Sequence, residues 1–252
     1  MNNYWTPCAE EIKKEFQRLT QHSYIEQKIG LPEAHEETIH LLLEALREAK
    51  VPRERMVEQI AAVLLVQSAF KAHEQIQLHN DGDDKKIRQL TILNGDLMSS
   101  LYYRLLSTAF HQEILLVFTS AIRSMNEAKM KLHFGECRDH TDMLQTLRMS
   151  EAGIVEAVIH FYGRPHLAVA SSSIFALKRL LHEWEWFGCT EEFSACAAQV
   201  QYWEGQSQSA QQILKQLIDQ EHSFFHQHVE KDEQLSDKLQ SLMDEWIAVG
   251  IE

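Results

Sequence analysis

Residues Gln89 to Ser107 read QLTILNGDLMSSLYYRLLS. Leu90, Leu93, Leu97, Leu101 and Leu105 recur at steps of three or four. At about 100° per residue that spacing lays all of them along one face of a helix. Gly95 sits inside the run and costs about 1 kcal/mol against alanine in a helix interior. Gly95 reads either as a tolerated weak spot or, better, as a close approach, because a residue without a Cβ lets another backbone come near. Asp96 is placed either to hydrogen-bond a neighbouring helix or to face water.

These residues also carry a resemblance. Leu93, Gly95 and Asp96 resemble the L-x-G-D helix that follows the first aspartate-rich motif of trans-polyprenyl diphosphate synthases. The longer string, Gln89 with Leu101-Tyr102-Tyr103 and Leu105-Leu106-Ser107, is more particular. It resembles the small, non-catalytic subunit (component I) of the two-component heptaprenyl diphosphate synthases of Gram-positive bacteria. Ala121-Ile122 followed by Asn126, Glu127 and Lys129 is similar to the same chains, as is Ser173-Ile174-Phe175 with Lys178-Arg179-Leu180. The resemblance is clearest from Gln67 to Leu132. It implies that these residues belong to family motifs or to an interface with a partner.

The composition fits an all-α chain. Only 9 Gly and 4 Pro punctuate 252 residues, too few for a turn-rich β protein, and helix formers abound. No fixed-period repeat or low-complexity linker divides residues 1–252, so one helical domain is expected. A formal net charge of −13 argues against nucleic acid as a partner. The groups Lys85-Lys86-Ile87-Arg88 and Lys178-Arg179 read as solvated faces. Cys8, Cys137, Cys189 and Cys196 are scattered without C-x-x-C spacing, which suits reduced thiols. The opening MNNYWTPCAEEIKKEF lacks a signal-peptide core, and the apolar run Ile60–Val66 is far short of the ~20 residues that span a bilayer. The expectation is a soluble, cytoplasmic protein with no transmembrane segment.

Along the chain, a helix is expected over Ala9–Lys28 after Pro7, with Ile12, Phe16 and Leu19 inward and an interruption near His22-Ser23. Gly30-Leu31-Pro32 ends it. A second helix covers about Glu33–Lys50, with Ile39, Leu42, Leu43 and Leu46 inward. The third, Arg53–Leu78, is apolar nearly all round and therefore central. A loop through Asp81, Asp83 and Asp84 leads to the leucine helix. Further helices are expected at Gln112–Phe134, Asp139–Arg148, Glu151–Tyr162, His166–Trp186, Glu191–Trp203, Ser207–Val229 and Glu233–Val249, several of them divided by Gly163-Arg164-Pro165, Gly188 and Gly205.

A prenyl synthase ionises an allylic diphosphate, and Mg²⁺ neutralises the leaving group. Mg²⁺ takes hard oxygen ligands, chiefly carboxylates and phosphate. The resemblance places one D-D-x-x-D motif at the end of the third helix and another far downstream. The first place reads Ala72-His73-Glu74-Gln75-Ile76-Gln77, with one carboxylate. The second reads Leu181-His182-Glu183-Trp184-Glu185-Trp186, with two glutamates and no D-D-x-x-D. Asp83-Asp84 has the wrong spacing and reads as solvated loop. No catalytic, metal or cofactor-binding residue is therefore assigned.

Two histidine constellations stand apart from these places. His222 and His226 form H-x-x-x-H with His228 nearby, and two histidines one turn apart can bind zinc. No third ligand is evident. His35 and His40 are five apart, about 140° around a helix, and cannot easily share a metal. No nucleophile motif such as G-x-S-x-G is present. Tyr102, Tyr103, Trp184 and Trp186 suit a core or an interface anchor.

The resemblance implies a non-catalytic, regulatory subunit of a heterodimeric heptaprenyl diphosphate synthase with a degenerate trans-polyprenyl synthase fold. Its partner would be a catalytic component II chain carrying both D-D-x-x-D motifs and the Mg²⁺. Together they would condense isopentenyl diphosphate onto farnesyl diphosphate for the menaquinone side chain. The chain alone would be inactive and open to self-association. The rival expectation is a stand-alone, helical, metal-dependent enzyme using His222 and His226.

Overall fold

The computed structural model describes residues 5–78, 85–107, 112–190 and 210–231, with 237, 241 and 243–245 beyond them. Among the described residues there is no strand. The helices are α1 (Trp5–Thr20), α2 (Ser23–Ile29), α3 (Glu36–Glu48), α4 (Arg53–Leu78), α5 (Lys85–Leu106), α6 (Gln112–His133), α7 (His140–Phe161), α8 (Pro165–Thr190) and α9 (Ala210–Val229). No helix among the described residues is long and apolar enough to cross a membrane. The contacts gather into two compact units, divided between Leu116 and Val117.

In the first unit α4 is central. Ile60, Ala61, Ala62, Val63, Leu64 and Leu65 are all buried in succession, which a helix achieves only with neighbours on several sides. Those neighbours are α1, α3 and α5. Ile12, Phe16 and Leu19 of α1 and Ile39, Leu42, Leu43 and Leu46 of α3 are buried as their spacing predicts. Each such side chain contributes about 1.5–3 kcal/mol by leaving water. The break after α1 falls at Gln21-His22, where His22 Nδ1 accepts from the Ile25 backbone N–H and caps α2.

In the second unit α8 packs against α7 and α9. Cys137, Met143, Leu144, Leu147, Ala176, Leu180, Ile213, Leu214 and Leu217 form one apolar cluster. Asp139 caps α7 by accepting from the Asp142 N–H at 2.8 Å. The expected helices Asp139–Arg148 and Glu151–Tyr162 are one continuous helix. No Gly or Pro lies between them, and Ser150 satisfies its hydroxyl on the Leu147 carbonyl at 2.9 Å without breaking the ladder. α7 stops at Gly163, whose φ of 80° is cheap only for glycine, and the Arg164 N–H reaches back to the Ile159 carbonyl at 3.3 Å. Pro165 then opens α8 with φ already set. α8 runs through Gly188, so that glycine does not separate two helices as expected. The expected helix Glu191–Trp203, the Asp81–Asp84 loop, Gly205 and most of Glu233–Val249 lie outside the described residues. Cys8 and Cys137 are buried, and burial pushes both thiols above their ordinary range.

Candidate functional site

The crossing of α4 and α5 holds the first candidate region. The face that α5 buries is Thr91, Asn94, Gly95, Met98, Leu101 and Leu106. The leucine periodicity is helical as expected, but its stripe is not the buried face. Leu93 is 62% exposed, and Leu90, Leu97 and Leu105 lie at the edges. Polar Asn94 and small Gly95 take the inward place instead. What approaches Gly95 is a side chain and not another backbone. A Cβ at Gly95 would lie 2.7 Å from His73 Nε2 and 2.8 Å from Cε1. The imidazole thus occupies the space that the missing Cβ leaves, with Nε2 3.8 Å from Asp96 Oδ1. His73 and Glu74 stand where a first carboxylate cluster was sought.

Beside this crossing lies a small cavity of about 180 Å³. Ser68, Lys71 and Gln75 of α4 reach it at helical spacing, Thr91 and Asn94 line it from α5, and the turn Gly30-Leu31-Pro32 closes it. Asn94 Oδ1 is buried without a hydrogen-bond partner. The wall is therefore polar and suited to water or a small polar group. Sequence reasoning missed Ser68, Lys71 and Asn94. Their common spacing on the inner flanks of α4 and α5 is the signal that could have found them.

The second unit holds the other region. Glu151 of α7 lies 3.5 Å from Arg179 Nη1 and 4.0 Å from Lys129 Nζ. Arg179 Nε also donates to Glu183 at 2.9 Å, and Glu183 is buried. Two of the sequence-selected cations, Lys129 and Arg179, are thus brought together through a carboxylate that the sequence reading did not select. Lys178 is exposed beside Arg179, and Asn126 and Glu127 are exposed on α6. In the first unit Gln89, Leu93, Asp96 and Tyr103 face outward, Tyr102 is half-buried, and Gly95 and Leu101 are buried. The Tyr102 and Tyr103 rings lie 5.3 Å apart, and burial raises the Tyr102 phenol above its ordinary range.

The family model for heptaprenyl diphosphate synthase (HEPPP synthase) subunit 1 matches residues 22–231, most of the chain. The chain belongs to this family. A curated relative, heptaprenyl diphosphate synthase component 1 of Geobacillus stearothermophilus, is 30% identical over 128 residues. That match covers 51% of this chain and 57% of the relative, so it spans little more than half of that protein. Solved structures share the fold at low identity. A decaprenyl diphosphate synthase from Rhodobacter capsulatus has a TM-score of 0.70 at 12% identity, over 98% of this chain and 97% of that one. A geranyltranstransferase from Methanosarcina mazei has a TM-score of 0.73 at 12% identity, over 97% and 98%. A geranylgeranyl pyrophosphate synthase from Corynebacterium glutamicum, complexed with calcium and isoprenyl diphosphate, has a TM-score of 0.72 at 11% identity, over 98% and 96%. The fold is all-α and isoprenoid-synthase-like.

At the two places where the sequence resemblance leads to an expectation of Mg²⁺ ligands, the side chains of this chain do not fit that ion. Near the end of α4 a single glutamate, Glu74, stands beside His73. Near the end of α8 Glu183 is engaged by Arg179, and a cation in that position opposes a second cation. Among the described residues no three His, Cys, Asp or Glu side chains come together as a metal site. His222 and His226 face each other on α9, while His228 Nδ1 is 2.9 Å from the Phe224 carbonyl and is not part of that pair.

Proposed function

We propose that this chain is the non-catalytic, regulatory subunit of a heterodimeric heptaprenyl diphosphate synthase. It supports a catalytic component II chain that carries the D-D-x-x-D motifs and the Mg²⁺. The pair condenses isopentenyl diphosphate onto farnesyl diphosphate and supplies the menaquinone side chain, in the cytoplasm. One observation carries the reading: a chain of the subunit 1 family has Arg179 clasping Glu183 at the place where the sequence resemblance leads to an expectation of clustered, metal-binding carboxylates. Family membership supports a synthase role, and the side chains present support a role other than ionising the diphosphate.

A subunit without that chemistry acts by binding one conformation of its partner better than another. Gln89, Leu93, Asp96 and Tyr103 share the outward face of α5 with Ile92, and this face is our choice for the contact. Exposed apolar and aromatic side chains of this kind are natural anchors. The face would also permit self-association of the isolated chain. Copurification tests the pairing. A synthase chain containing D-D-x-x-D should be recovered with this chain at one-to-one stoichiometry, and its absence when both are coexpressed would remove the heterodimer.

A further inference from the structure

α9 is fixed against α7 by a buried ion pair. Arg148 donates from Nε and Nη2 to the two Glu221 oxygens at 2.7 and 2.6 Å, and its guanidinium lies 3.6 Å over the Phe224 ring. Phe225 is fully buried one residue on. These contacts set the rotation of α9 about its own axis. His222 and His226, one helical turn apart, then stand ring to ring on the next flank, with centroids 4.4 Å apart and planes at 70°. Their Nε2 atoms are 3.2 Å apart. His228 is engaged with its own helix and its ring lies 4.2 Å from Phe224.

Two imidazole nitrogens bound to one tetrahedral Zn²⁺ at about 2.0–2.1 Å are separated by roughly 3.3 Å. The observed separation already matches that bite. We propose that His222 and His226 form a two-histidine chelate for a borderline divalent cation, of which Zn²⁺ is the natural case. For both Nε2 atoms to ligate, the ring that donates across the 3.2 Å contact shifts its proton from Nε2 to its own Nδ1 through solvent, so each neutral imidazole keeps one N–H and no proton is lost. Among the described residues no third protein ligand joins the pair, so water fills the remaining positions. Asp219, on the same flank one turn back, can accept a hydrogen bond from such a water. The site is an exchangeable clamp on one turn of α9, outside the two regions above. It departs from the expectation that the chain binds no ion, and it does not depend on the subunit reading.

The test is Zn²⁺ titration of the full, untagged chain by calorimetry. One equivalent should bind in the micromolar range, and Mg²⁺, a hard ion, should not compete. His222→Gln and His226→Gln should each weaken binding by at least about tenfold, since even outer-shell partners of a metal are worth that much. His228→Gln should leave it unchanged. In the unmodified chain, Ni²⁺ should broaden the His222 and His226 imidazole resonances before those of the other histidines, a readout that needs no variant. Stoichiometric binding that survives both glutamine variants, no binding at millimolar Zn²⁺, or broadening first at other histidines would each overturn the proposal.

Discussion

Gly95→Ala tests the α4–α5 crossing most sharply, because two effects of similar size oppose each other there. Alanine in place of glycine inside a helix gains about 1 kcal/mol. The new Cβ would meet the His73 ring at 2.7 Å, so the ring must leave. His73 is the free end of a side chain that is 43% exposed, and its Asp96 partner is 64% exposed. Losing so solvated a contact costs about 0–1 kcal/mol. Gly95→Ala alone should therefore change stability by less than about 1 kcal/mol. In a His73→Ala background the obstacle is gone, and the same change should stabilise by about 1 kcal/mol. Urea denaturation of the four chains in this cycle gives the coupling from the midpoints, provided the slopes agree. A loss above about 2 kcal/mol from Gly95→Ala in both backgrounds would show that the glycine accommodates something other than His73.

Glu221→Ala should be far more costly, because it leaves Arg148, 15% exposed, without its acceptors. A buried pair broken on one side costs about 3–5 kcal/mol, or roughly 6–20 °C in Tm for a chain of this size. Lys13→Ala, which breaks an exposed pair with Glu36, should cost less than about 1 kcal/mol, and equal losses for the two would contradict the burial argument. The same melts test the proposal of one domain, which requires a single transition that Glu221→Ala moves as a whole. Asp142 accepts from Lys131 and Arg138, which hold its carboxyl well below the usual range. Its stabilisation is thus present above the unfolded value near pH 4 and is lost as pH falls toward the folded value. The Tm gap between the unmodified chain and Asp142→Asn should hold constant from pH 7 to about 5 and shrink as pH falls from about 5 to 3, and a gap that stays constant to pH 3 would refute the linkage.

Helices whose buried residues follow a single period were legible from the sequence. The range Arg53–Leu78 for α4 is legible in the sequence, because its apolar character is continuous and proline and a turn-rich loop bound it. The fold class and the family were legible too, the first from periodicity and composition, the second from the string around Gly95. The buried face of α5 was not. Leucine spacing gives the period of a helix, but which flank turns inward depends on a neighbour that the sequence does not position, and here Asn94 and Gly95 outranked Leu93. The continuity of α7 is not legible locally, because the Met149-Ser150 junction carries no glycine or proline to mark a break and only the structure shows Ser150 bonded back to the Leu147 carbonyl inside an unbroken helix. Arg148–Glu221 and Lys129–Glu151–Arg179 join residues from different helices, and no local spacing announces them.

The central claim is that this chain contributes to synthesis without performing the ionisation itself. The most direct measurement is incorporation of labelled isopentenyl diphosphate into farnesyl diphosphate with Mg²⁺, with products resolved by length. It is run with this chain alone, with the catalytic chain alone, and with this chain titrated into its partner. The account predicts no elongation by this chain alone, and a rate and heptaprenyl product that rise together as it is added. Robust turnover by the single chain, or an unchanged partner rate and product length at saturation, would contradict it.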